Sequence, residues 1–156
     1  MVNLEPIGFV KHNYPDEEVR KSSRGVEAEV IVKEEYTEGL KGIEEFSHII
    51  LISFLNKSSS FKLKVKPKRL MTLGLREEEI PEVGVFTTDS PSRPNPIGLS
   101  TVKLIWVKGN ILKVENCDLY NETPILDIKG FYPHRCPEHY MLPEWALKES
   151  KGYLLR

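Results

Sequence analysis

Charged and amide side chains suited to gripping a ligand gather in Phe86 to Ser100, FTTDSPSRPNPIGLS, where Asp89, Arg93 and Asn95 are set among prolines. Arg93 carries a planar fork of N–H donors that can hold a carboxylate or phosphate through two bonds, and Asn95 can read an amide or hydroxyl beside it. Pro91, Pro94 and Pro96 fix φ and push Ser90, Arg93 and Asn95 toward extended backbone, so the loop is stiff before anything binds. Residues two apart in an extended chain project to one side, which predicts a shared face for Arg93 and Asn95. Gly98 lets the backbone turn or approach a neighbour closely. A rigid turn whose Arg93 only bridges its ends fits the same residue types.

Two further carboxylates are candidates. In TPILDIK, strand alternation puts Leu126 with Ile128 on one face and Asp127 with Lys129 on the other, an acceptor and a cation side by side; a cross-strand salt bridge is the plain alternative. Asp118, in CDLYNETP, is either a ligand-binding acid or a turn cap. His48 falls in an apolar run and reads as a core histidine bonded to backbone rather than a base. His134, Cys136 and His139, with Cys117 more distant, match no strong zinc spacing, and no metal site is predicted. The only marked basic stripe is Lys62, Lys64, Lys66, Lys68 and Arg69 around Pro67. It is read as a protected edge-strand face or as a patch that tracks the phosphates of an RNA stem.

The elements that must position these groups are mostly strands. Residues 26–32 alternate Val26, Ala28, Val30 and Val32 with Glu27, Glu29 and Ile31, a strand with one wet face. FSHIILISFL at 46–55 is a nearly continuous apolar run read as the central buried strand, with a buried helix as its competitor. FKLKVK at 61–66 alternates again, predicting Phe61, Leu63 and Val65 inward and the lysines outward. Residues 99–107 and 111–117 are strands joined by a Lys108-Gly109-Asn110 hairpin, and Pro124 to Lys129 adds another. Thr37 to Glu45 can form a turn or two of helix, and Pro143 to Glu149 a short terminal one. The pattern predicts a mainly β fold, an antiparallel barrel or curled sheet with few short helices. No GxGxxG follows a strand, which disfavours a Rossmann fold.

A chain of 156 residues suits one domain, taken as residues 1–140 with a helix and tail at 141–156 packed on it. Net charge is −1, from 22 basic and 23 acidic residues, so any RNA contact must come from a local patch. There is no apolar run of about 18 residues and no basic-then-apolar leader, which predicts a cytoplasmic protein without a membrane span. Abundant Lys and Glu with no glutamine is a balance found in thermophilic proteins, and two cysteines are too few for a disulfide framework.

The segment GVFTTDSPSRPNPIGLSTVKL resembles the GVFATRSPxRPNPIGxSxVxL signature of the TsaA/TrmO-like family. Ile7-Gly8, GLKGIEEFSHI at 39–49 and TPILDIK at 123–129 resemble that family's other blocks in its order, so the likeness covers most of residues 4–133. It implies a dimeric β-barrel methyltransferase that moves a methyl group from S-adenosylmethionine to N6 of a threonylcarbamoyl-modified adenosine beside a tRNA anticodon. The cofactor positions it implies fall on Arg20, Leu55, Asn56, Asp89, Arg93, Asn95, Leu99, Asp118, Leu126, Asp127, Ile128 and Lys129; Asp118 or Asp127 is the candidate base. The chain departs from the pattern at four places. Asp89 replaces an arginine, Leu55-Asn56 replaces Phe-His, and Asn121-Glu122-Thr-Pro replaces DGTP. Val19-Arg20-Lys21 is only a loose counterpart of Arg-Gln-Pro. These departures also suit a non-catalytic barrel that binds RNA or S-adenosylmethionine.

Overall fold

A computed structural model of the chain describes residues 1–153; Leu154 to Arg156, the end of the expected tail, lie outside the described residues. The strands are β1 (Gly8–Lys11), β2 (Val26–Val32), β3 (His48–Phe54), β4 (Lys64–Val65), β5 (Val83–Gly84), β6 (Ile97–Lys108), β7 (Ile111–Cys117) and β8 (Pro124–Gly130). The α-helices are α1 (Asp16–Lys21) and α2 (Glu144–Lys151). Six strands close an antiparallel barrel in the order β1-β2-β7-β6-β3-β8, with β8 returning to pair with β1. This is the barrel that the strand pattern predicts.

The alternation of β2 is realised residue for residue: Val26, Ala28, Val30 and Val32 are buried, and Glu27 is exposed. They meet Val10 of β1, Val102 and Leu104 of β6, Leu112 and Val114 of β7 and Ile125 of β8 inside the barrel. The run at 46–55 becomes β3, paired with β6 from His48↔Lys103 to Phe54↔Ile97 and with β8 on its other edge. Its Ile49 and Leu51 are fully buried, each stabilising the fold by about 1.5–3 kcal/mol. The β6–β7 hairpin closes at Lys108↔Ile111, with Gly109 at φ 59°, a left-handed conformation that costs glycine nothing sterically.

Three local expectations are corrected. Residues 61–66 do not form an alternating strand: only Lys64 and Val65 pair, with Gly84 and Val83, and Phe61 and Leu63 are exposed. The partner strand is only two residues long, between Pro81 and the turn that begins at Val85, so the ladder cannot extend. In β8 the register slips opposite Ile52 and Ser53, which pair with Asp127 and Ile125, and Leu126 is bulged. Strict alternation therefore breaks, and Ile125 rather than Leu126 shares the core with Ile128. His48 is half-buried at the start of β3, where its Nδ1 meets Ser47 Oγ at 2.8 Å instead of a backbone group. The helical turns before β3 are 3-10 segments, Glu34–Leu40 and Ile43–Glu45.

Candidate functional site

A cavity of about 750 Å³ opens at the barrel end where β3 finishes, β6 begins and β7 runs into Asp118-Leu119-Tyr120. That volume is typical of small-molecule and cofactor sites. A shallower depression of about 470 Å³ is lined only by α1 and its flanks, from Pro15 to Ser22, so no distant segments converge there.

The proline loop forms one wall, although it is bent rather than extended. Arg93 N–H donates to Pro91 O at 2.8 Å and Ile97 N–H to Asn95 O at 2.8 Å, two three-residue turns in succession. This bending separates the pair expected to share a face: Arg93 lines the cavity, and Asn95 is exposed outside it. Arg93 also ties the loop, its Nη1 donating to Thr88 O at 2.7 Å and Ser90 O at 3.1 Å. The loop is fastened to the segment after β3 by Leu55 N–H to Pro96 O, 2.7 Å, and by Ser58 Oγ to Pro91 O, 2.8 Å. Gly98 makes this close approach feasible, because a Cβ there would lie 2.4 Å from Ser53 Oγ and 3.0 Å from Leu55 Cδ2.

Asp118, just after β7, also lines the cavity. Its Oδ1 accepts a 2.5 Å bond from the buried Ser100 hydroxyl, and its other oxygen makes no hydrogen bond among the described residues. Leu119 beside it is held by a histidine that sequence reasoning passed over. His12 is buried, its Nε2 lies 2.9 Å from Leu119 O, and its Nδ1 accepts from Tyr14 N–H at 3.1 Å. Because a carbonyl can only accept, the proton is assigned to Nε2.

Of the residues singled out from sequence, Arg20, Leu55, Asn56, Arg69, Asp89, Arg93, Leu99 and Asp118 all line this cavity. Leu126, Asp127, Ile128 and Lys129 do not, and Asp127 forms a half-exposed pair with Lys129 at 3.2 Å. The basic stripe is split. Lys62 and Lys64 are exposed, Lys66 and Lys68 both turn to Glu77, and Arg69 turns into the cavity. Tyr153 also reaches the cavity, with the Arg69 guanidinium 4.0 Å from its ring centroid. Neither Tyr153 nor Ser100 carries a sequence signal, since each acts through a neighbour distant in the chain. Burial pushes the Tyr153 hydroxyl up, Arg69 opposes that, and Glu149, Asp118 and Asp89 add to it. Among the described residues no group of three or more His, Cys, Asp or Glu converges as a metal site; Cys117 is buried and Cys136 exposed.

Residues 11–135 match the family described as "tRNA-methyltransferase O N-terminal domain". The chain belongs to this family. The match contains the whole proline loop and Asp118, and it ends before α2 and Tyr153. Among family relatives, an "S-adenosyl-L-methionine-binding protein" of Archaeoglobus fulgidus is 40% identical over 133 residues, 83% of this chain and 89% of that one. A Homo sapiens "tRNA (adenine(37)-N6)-methyltransferase" is 37% identical over 107 residues, 67% of this chain but only 22% of its own length. The barrel superposes on a crystal structure of TrmO with a TM-score of 0.72 at 24% identity, covering 93% of this chain and 64% of that one. The shared feature at that distance is the fold.

Proposed function

We propose that the cavity binds S-adenosylmethionine and that the protein transfers its methyl group to N6 of an adenosine in tRNA. The carrying observation is that seven of the cofactor candidates, together with Arg69, meet in one cavity from five separate segments, within a chain whose family and relatives are named for tRNA methylation and S-adenosylmethionine binding. The residues suit the cofactor's parts. Val19, Leu55 and Leu119 offer apolar walls for an adenine, and Asp118 offers a carboxylate for a ribose diol.

When bound, S-adenosylmethionine would supply an electrophilic methyl group, its C–S bond breaking as a C–N bond to N6 forms and the N6 proton is lost. The protein's task is to align donor and acceptor and to exclude water. An acyl-bearing N6, as in threonylcarbamoyl-adenosine beside the anticodon, is acidic enough for a weak base. Asp118, inside the cavity, is better placed than Asp127 for that role. Lys62 and Lys64 remain exposed for phosphate contact. The reading includes a homodimer working in the cytoplasm, and exposed Ile97 and Leu99 at the cavity give a second copy an apolar surface to cover. Among the described residues no helix is long and apolar enough to cross a membrane.

The test is incubation of the protein with labelled S-adenosylmethionine and tRNA from a methylation-deficient strain, followed by nucleoside mass spectrometry. N6-methylated threonylcarbamoyl-adenosine is expected. Cofactor binding without any methylated nucleoside would favour a second reading, a non-catalytic S-adenosylmethionine-binding barrel, which the names of the archaeal relatives and Asp89 support.

A further inference from the structure

Some of the charges that line the cavity are spoken for. Lys57 pairs with Asp16, Arg93 ties the proline loop, and Asp118 accepts from Ser100. Three others line it without an ion pair among the described residues: Arg20 and Asp89, both exposed, and Arg69, half-buried. Arg69, in the 3-10 segment Lys68–Leu73, makes no ion pair among the described residues, and its Nε is buried without a hydrogen-bond partner. Its guanidinium is held over the Tyr153 ring, which fixes its plane without consuming a donor. Asp89 lines the same cavity from the proline loop, and its carboxylate has no hydrogen bond or ion pair among the described residues. The two do not pair with each other.

We propose that Arg69 and Asp89 form a subsite for the zwitterionic amino-acid end of the methyl donor, an assignment that rests on the cofactor reading above. Arg69 takes the α-carboxylate and Asp89 the α-ammonium. A cation and an anion that share one cavity without neutralising each other call for a ligand carrying both signs. A phosphate would meet Asp89 and a simple amine would meet Arg69, each at a cost in like-charge repulsion. Glu149 of α2 feels the same field: burial raises its carboxyl, and Asp89 raises it further. An ammonium beside Asp89 offsets that repulsion. Tyr153 lies beyond the family match at 11–135, so the ring that holds Arg69 comes from this chain's own C-terminal segment.

Calorimetry on the full chain with two ligands tests the assignment: S-adenosylmethionine, and 5′-methylthioadenosine, which lacks the amino-acid end. Wild type is expected to bind both, the former more tightly. Arg69→Ala and Asp89→Asn are each expected to weaken S-adenosylmethionine about tenfold or more while changing 5′-methylthioadenosine less than about twofold. Arg69→Lys should fall between wild type and Arg69→Ala. Circular dichroism of each variant checks the fold. If Arg69→Ala and Asp89→Asn weaken both ligands equally, or neither, the subsite is wrong; a selective loss in Arg20→Ala instead would also overturn it. If wild type binds neither ligand, it is the cofactor reading that fails.

Discussion

The barrel wall and the cavity rim hold their shapes by opposite means. In the wall, β2 and β6 place one residue in two against the core, and Val30, Leu51, Val102 and Leu112 are buried to within a per cent. Backbone ladders satisfy the polar groups there, so stability is spread over many interchangeable apolar contacts. At the rim, regular pairing stops after Phe54, and shape is carried by individual bonds: Arg93 to two loop carbonyls, Ser58 to Pro91, Ser100 to Asp118. The rim also holds the exceptions to good local rules. Ser53 Oγ, at the rim end of β3, and Arg69 Nε are buried without partners, Glu122 sits at φ 67°, and Asn116 near the end of β7 sits at φ 64°. The difference teaches where ligand chemistry is available. A wall whose groups are all satisfied has nothing to offer a ligand, whereas a rim with unspent donors and charges does.

The contrast is sharpest in the response to truncation. Leu51→Ala, in the wall, is expected to lower stability by about 2–5 kcal/mol, read as a shift of the denaturant midpoint at constant slope. A loss below 1 kcal/mol would mean that the wall is not the stabilising region. Next in size is Gly98→Ala, which puts a Cβ against Ser53 Oγ and Leu55 and should cost about 1–3 kcal/mol. Ser53→Ala, by contrast, removes an unpartnered buried hydroxyl. It should be neutral or stabilising by up to about 1 kcal/mol, and it should relieve part of the Gly98→Ala loss in the double mutant.

A smaller gain is expected at Glu122, which occupies a left-handed conformation. Glu122→Gly should stabilise by about 0.5–1 kcal/mol, visible as a rise in Tm, despite the greater freedom it gives the unfolded chain. The smallest effect concerns Glu149. Its carboxyl is raised from the ordinary value by burial and by Asp89, so the folded state holds its proton more tightly than the unfolded one. Stability from this group is therefore greatest below the ordinary carboxylate value and falls as pH rises through the raised one. Because Glu149 is only partly buried, the slope is shallow. Glu149→Gln should flatten it, and Asp89→Asn should shorten its range; Tm measured across that pH window reads both.

Much of the wall was legible residue by residue. The two-residue period of β2, the apolar run of β3 and the hairpin at Gly109 are local signals, and each became the expected element. The proline loop was legible as a rigid polar segment, but its internal turns were not. The extended geometry that proline favours gave way to two short turns, and Asn95 left the cavity that Arg93 entered. FKLKVK failed for another reason. Alternation proposes a face, but a strand needs a partner, and Val83–Gly84 is too short to be one. Tyr153 stacking on Arg69 was beyond local reading, since 84 positions separate two residues that meet only when α2 docks on the Lys68–Leu73 segment.

The barrel class and the motifs that tie the chain to its family were readable along the chain, because periodicity and proline spacing act over a few residues. The tertiary structure decided which of those residues face one cavity. It drew in Arg20, Arg69 and Asp118, turned Asn95 away, and broke the alternation of β8 with a bulge. The physical reason is that a site's geometry depends on where strand ends and loops from distant segments come to rest. Those positions are set by register, closure and close backbone approach, none of which is encoded within a short window.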